Sequence, residues 1–186
     1  MRRELREELD RLTRLAERCG APIELRQGAT EAELEEAEAR TGIRFNDDFR
    51  DLYTFSNGSN YLETWFVACT RELEPFWFYP LHEACRVHSW VPAPSCDESK
   101  NNGGVPRDPR VQRLDRHTKW FPFADHGNGS AIAYFDADPT AEGHYGQIIT
   151  YQNAPDVIRW CATDLVSFLR ASNDLLEVHG ARLLAY

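Results

Sequence analysis

Apolar and polar positions alternate most clearly between residues 130 and 151. Residues 130–136 place Ile132 and Tyr134 on one face and Ala131, Ala133 and Phe135 on the other. Both sets are apolar, which predicts a strand covered on both sides. Residues 145–151 alternate in the same way, Gln147, Ile149 and Tyr151 against Ile148 and Thr150. Asp138-Pro139 and Gly143 between them are turn residues, and Pro139 has no N–H to continue a ladder. The pattern predicts a central hairpin. Just upstream, the run from Asp125 to Gly129 predicts a tight turn into the first strand. Trp120, Phe121 and Phe123 add a large aromatic load ahead of that turn.

Helical periodicity marks the rest. In residues 4–19, Leu5, Leu9, Leu12, Leu15 and Ala16 share one face, and Gly20 and Pro22 end the run. Residues 23–25 predict a short strand. Thr30 and Glu33 form a capping box, and Gly42 is the expected terminator of that helix. Five glutamates, Glu31, Glu33, Glu35, Glu36 and Glu38, crowd this helix; those in its first turn complement the helix dipole, and the later ones predict an exposed acidic strip. Asn46 is the expected N-cap of the next helix, with Asp47 and Asp48 in its first turn. Residues 65–69 and 76–79 read as strands, and 81–90 as a helix. Residues 91–117 are rich in Pro, Gly, Asn and Asp and predict a long exposed loop. Thr163 is the expected cap of a helix ending near Ser172, and 174–186 predict a further short helix.

A chain of 186 residues is expected to bury a core of its own without staples. The formal charge of −9 argues against direct binding to nucleic acid or an anionic membrane and would suit a basic protein partner. The five cysteines are odd in number, widely spaced and free of CxxC pairs. With no apolar leader or membrane-length apolar run, they favour free thiols in a reducing cytoplasm.

Candidate chemistry is sparse. Asp136 and Asp138 lie two apart, as paired carboxylates for a cation or for acid–base work would, but Asp-x-Asp-Pro is also a turn-building sequence. His82, Cys85 and His88 form HxxCxxH, whose third residue rotates off the helix face shared by the first two. A zinc site there would need a further ligand such as Cys96. No nucleophile elbow or phosphate loop occurs. We therefore assign no catalytic, cofactor-binding or metal residue, and expect no cofactor and no small-molecule substrate. Of the five tryptophans, any left exposed would be a binding anchor.

One ordered set of residues carries a resemblance. Trp120, Pro122, Phe123 and Ala124 come first, then Gly127 and Gly129, then Asp136-x-Asp138-Pro139, then Gly143-x-x-Gly146-Gln147-Ile148-Ile149. This order resembles the signature of the SUKH superfamily of bacterial toxin-immunity proteins and fungal cell-wall-synthesis regulators. Upstream, Gly28-Ala29-Thr30 with its acidic helix and the capped helix ending in Asn57-Gly58 are also similar. Phe45-Asn46 stands where that family usually has Leu-Pro. The resemblance runs roughly from residue 25 to 169 and fails at both ends and in the 91–117 loop.

The fold expected is α+β, a largely antiparallel sheet with a central hairpin, flanked by helices from both termini. The expected organisation is a helical extension over 1–24, a SUKH-like domain over 25–172 with its long loop at 91–117, and a short helix over 173–186. The resemblance implies a non-enzymatic protein-binding module, foremost an immunity protein neutralising a cognate toxin, nuclease-type if basic. The alternatives are a regulatory scaffold and, more distantly, a metal-dependent enzyme. Partner contact is expected at Glu35, Glu38, Asp138 and Glu142. Trp120, Pro122, Gly127, Gly129, Asp136, Pro139, Gly143, Gly146 and Gln147 are expected to be structural.

Overall fold

In the computed structural model, which describes residues 1–69, 72–90, 102–127, 129–153 and 156–184, the alternating stretch forms the middle of a six-stranded sheet. Strands β1 (Thr64–Cys69), β2 (Leu73–Phe78), β3 (Trp120–Asp125), β4 (Ala131–Asp136), β5 (Gln147–Gln152) and β6 (Val157–Ala162) lie in chain order, each antiparallel to the next. Helices α1 (Arg3–Arg18), α2 (Glu31–Thr41), α3 (Asp47–Phe55), α4 (Leu81–His88) and α5 (Leu165–Leu183) complete an α+β fold with helices at both ends.

The two apolar faces of β4 meet two different covers. On the inner face, Phe66, Phe78, Phe121, Phe123 and Phe135 pack against Phe45, Phe49 and Tyr53 near α3 and Phe168 on α5. Phe49 and Phe135 lie 4.7 Å apart and Phe45 and Phe121 meet edge-on at 4.8 Å. Such pairs add about 0.5–1.5 kcal/mol each beyond area burial. On the outer face, Trp120, Ile149 and Ile158 pack with Val111 and the partly buried Leu114, Tyr134, Tyr151 and Trp160.

Val111 and Leu114 belong to the segment read as an exposed loop. Its residues 91–101 lie outside the described residues, but 102–118 form a strap across the outer face. The Arg110 guanidinium sits 3.4 Å from the centroid of the Trp160 ring, and Arg107 Nη1 donates to the carbonyls of Gln112 and Leu114. Turn-rich composition hid two apolar anchors and an aromatic floor for them.

Two strands carry no clear alternation in the sequence. Pro122 disguises β3: it sits opposite Tyr134, where the register shifts between Pro122 and Ala124. Arg159 disguises β6 by interrupting its apolar run. The short strand expected at 23–25 is absent. Backbone donors there go to side chains instead, Glu24 N–H to Glu63 Oε1 (2.8 Å) and Arg26 N–H to Ser56 Oγ (3.0 Å).

At the C-terminal end, one continuous α5 replaces the two helices expected. The polar run read as a stop is used sideways. Ser172 Oγ accepts from Val67 N–H on β1, Asn173 Nδ2 donates to the carbonyl and carboxylate of Glu8, and Asp174 pairs with Arg11. α5 thereby packs on α1, whose Leu5, Leu9, Leu12 and Leu15 are buried as their spacing predicts. Asp164, not Thr163, caps α5, accepting from Ser167 N–H at 2.7 Å. The caps at Thr30 and Asn46 and the left-handed Gly42 are as expected.

Both sheet edges are guarded by side chains. Ser172 covers Val67 on β1. On β6, Asn102 Oδ1 accepts from Ile158 N–H (2.8 Å) and its Nδ2 donates to the Ile158 carbonyl (3.3 Å). Unpaired edge groups would otherwise invite a foreign strand.

Amide exchange should be slowest at 132–135 and 148–150, which open only on global unfolding. Ile158 should be protected although it faces an edge, and Asn102→Ala should speed its exchange selectively, as followed by NMR. Rapid exchange in both central strands would contradict this architecture.

Candidate functional site

Cross-strand pairing arranges the outer face in rows. Trp120, Asp136 and Gln147 form one row across β3, β4 and β5. Pro122, Tyr134, Ile149 and Trp160 form the next. Trp77, Asp125, Ile132, Tyr151 and Ile158 form the third. Of the residues carrying the sequence signature, Trp120, Pro122, Asp136, Gln147 and Ile149 thus lie side by side at one end of the outer face, whereas Phe123, Ala124 and Ile148 belong to the inner core and Gly127 and Gly129 sit beside Asp125.

The first row is a polar hub. Asp136 is fully buried; its Oδ1 accepts from Asp138 N–H at 3.0 Å and its Oδ2 from Gln147 Nε2 at 2.8 Å. Gln147 Nε2 also donates to the Arg110 carbonyl (2.9 Å), and its Oε1 accepts from His144 N–H (3.3 Å). The Thr140 hydroxyl donates to the Pro109 carbonyl (2.6 Å), the Pro139 carbonyl accepts from Gln112 Nε2 (3.4 Å), and Gly143 N–H donates to the Thr140 carbonyl. His117 Nε2 lies 2.7 Å from Asp138 Oδ2. Sheet, strap and β4–β5 loop are tied together at this point. Burial raises the Asp136 pKa, against hydrogen bonds from Gln147 and Asp138 that lower it.

Asp125 plays the same part at the other end of β4. Its Oδ1 accepts from the N–H of Gly127 (2.9 Å), and its Oδ2 accepts from the Tyr79 hydroxyl (2.8 Å) and Gly129 N–H (3.1 Å). A carboxylate followed by glycines two and four positions on is a turn-capping pattern that the sequence alone could have assigned.

Asp136 and Asp138 are therefore not a paired site: the first is buried, and the second is exposed and holds His117. In HxxCxxH, His82 is exposed, and Cys85 is buried with its thiol pKa pushed up by desolvation. His88 contacts the Thr118 carbonyl, and burial lowers its pKa. Cys96 lies outside the described residues. Among the described residues no three His, Cys, Asp or Glu side chains converge as metal ligands would.

The expected partner-contact residues separate. Glu35 and Glu142 are exposed, as is Asp138. Glu38 is not part of an exposed strip: it is 6% exposed, accepts from Phe45 N–H (2.8 Å) and pairs with Arg50 (2.7 Å). A helix repeat of 3.6 turns the fifth glutamate inward. The β4–β5 loop nonetheless adjoins the end of α2, because the Tyr145 hydroxyl donates to the Arg44 carbonyl.

Beside the hub, Trp90, Trp120, Ile132, Tyr134, Tyr151 and Ile158 line an outer-face groove of about 310 Å³ that Arg116 and His117 also border. Burial and the Asp156 contact push the Tyr151 pKa up to about 12, and burial raises that of Tyr134. Both phenols stay neutral at physiological pH and offer ring surface and a hydroxyl, not a phenolate. Trp65, Trp77 and Trp120 are buried and Trp160 is half-buried; Trp90 is 62% exposed beneath the Arg86 guanidinium. This arrangement can hold a surface against it. No helix among the described residues is long and apolar enough to cross a membrane.

The family model described as SMI1 / KNR4 family (SUKH-1) matches residues 28–171, well over half of the chain. No curated protein matches the chain.

Two glycines of the matched region should respond differently. Gly146 has φ +83°, and an added Cβ would lie 2.6 Å from Asn46 Nδ2 and 2.9 Å from the Phe135 ring. Gly129 has φ +76° with open space around it. Gly129→Ala should cost about 1–2 kcal/mol from backbone strain alone. Gly146→Ala should cost distinctly more in denaturant unfolding; equal costs would contradict the packing described.

Asp136 gives a pH signature. Its folded pKa is raised, so its stabilising contribution is fully present below the unfolded value of about 3.9 and declines as pH rises through the folded value. Asp136→Asn should remove that decline. Unfolding curves of both proteins should converge toward acid, with wild type losing stability relative to Asp136→Asn as pH rises toward neutral; a wild type that gains stability instead would contradict the raised pKa.

Proposed function

This chain belongs to the SMI1/KNR4 family (SUKH-1), and from that premise we propose that it is a non-enzymatic immunity protein that binds and neutralises a toxin protein. One observation carries the reading beyond the family. Asp136 of the signature, and Asp125 beside its paired glycines, are buried and occupied by backbone and side-chain donors. They frame a surface and do not present a reacting centre.

The formal charge of −9 favours a basic toxin. Glu35, Asp138 and Glu142 supply exposed negative charge on adjoining parts of the molecule and speed its encounter with a basic active-site cleft. Glu38 is left out, because its carboxylate holds Phe45 and Arg50.

Reversing Glu35 and Glu142 to lysine should slow association with the toxin severalfold at low ionic strength and flatten its salt dependence, since steering fades as the Debye length shrinks. Folding should survive, as exposed charges contribute little. Stopped-flow mixing at low and high salt is the check. Wild-type association that ignores salt would rule out electrostatic capture.

A further inference from the structure

We propose that Tyr61 and Leu62, at the tip of the loop between α3 and β1, are an apolar anchor point for a basic segment of the partner protein. The inference rests on the protein-binding reading above and assigns it a surface at the end of the sheet away from the Asp136 hub.

The loop is fixed on both sides of its tip. Ser59 is buried; its N–H donates to the Phe78 carbonyl at 2.8 Å, and its Oγ accepts from Phe78 N–H at 3.0 Å. Glu63 Oε1 accepts from Glu24 N–H (2.8 Å), its Oε2 accepts from Trp65 Nε1 (3.0 Å), and its own N–H donates to the Asn60 carbonyl. Between these clamps Tyr61 is 69% exposed and Leu62 is 57% exposed.

Leu62 also has φ +64°. A leucine gains nothing from the left-handed region, where a glycine would sit free of strain. Scattered exposed apolar residues are ordinary on protein surfaces. Here two adjacent large ones are held outward by a clamped loop, one of them in an unfavourable conformation. Strain that the surroundings enforce is the kind found at binding surfaces.

What lies around the tip selects the occupant. The Tyr61 ring meets Trp77 edge-on with centroids 5.0 Å apart, so a rigid aromatic floor backs the anchor. Leu62 and Trp77 border a recess of about 1070 Å³ whose walls carry Glu63, Glu72 and Glu74. Facing them are Arg182 and His126, the latter with Nδ1 2.8 Å from the Pro75 carbonyl. Among the described residues the recess is net acidic, which fits lysine or arginine flanking an apolar side chain. An aromatic anchor such as Tyr61, ringed by charge, gives affinity from the centre and selectivity from the rim, and Leu62 adds apolar area that excludes water beside it.

The test uses the intact protein, a short synthetic peptide with one leucine between lysine and arginine residues, and the same peptide with glutamates in place of the basic residues. Binding is followed by amide NMR shifts. The basic peptide should perturb 61–63, 73–77 and 126–127 and bind roughly tenfold more tightly than its acidic counterpart. Leu62→Gly should weaken it by a similar factor while the melting temperature stays level or rises, because glycine relieves the strain. Glu72→Lys should weaken it and reduce its salt dependence.

Shifts centred elsewhere, or a Leu62→Gly protein that binds as well as wild type, would overturn the proposal. So would self-association of the wild type that Leu62→Gly abolishes, since the occupant would then be a second copy of this chain. A toxin that fails to bind the full chain while the peptide still docks here would remove the immunity reading and leave this site standing. A toxin whose binding ignores Leu62→Gly would do the reverse.

Discussion

The Asp136 carboxylate is withdrawn from water, yet it accepts from the Asp138 N–H and the Gln147 amide, and Gln147 in turn holds the Arg110 carbonyl. Through those few bonds a strand, a loop and a strap share one reference point. A buried carboxylate without such donors would cost several kcal/mol, so the three pieces have strong reason to stay together. Gly146 follows from the same constraint: its N–H donates to the Asp136 carbonyl at 2.8 Å, and its backbone passes where a side chain would meet Phe135.

Once the hub is in place, the sheet has two interiors. Helices close the inner face over an aromatic cluster, and the strap closes part of the outer face over Trp120, Ile149 and Ile158. β2 pairs with β3 at Trp77 and Phe78, the Tyr79 N–H extends the pairing to the Phe123 carbonyl at 2.8 Å, and α4 also packs on β3. The groove beside Trp90 and Trp120 lies on the outer face.

Periodicity revealed what depends on local sequence: the leucine face of α1, the caps at Thr30 and Asn46, and the two-sided apolar character of β4 and β5. It failed where a residue's use is decided by a distant partner. Ser172, Asn173 and Asp174 look like a helix stop and are instead bound to β1 and α1. Glu38 looks like surface charge and is a buried bridge to Arg50. Of the site, the signature residues were legible as an ordered set, and the Asp125 turn could have been read from its glycine spacing. Asn102, the strap's seat on Trp160, and the exposure of Tyr61 and Leu62 carry no local signal, because each is set by tertiary contact.

The function proposed above is that of a molecule acting by occupying another protein. The most direct measurement is to recover the tagged chain from its native host and weigh the assembly intact by native mass spectrometry, then produce the co-purified protein without it. The account predicts one dominant stoichiometric heterocomplex whose partner harms cells when made alone and is harmless when bound. A chain recovered alone, or with many substoichiometric companions none of which is toxic, would contradict it.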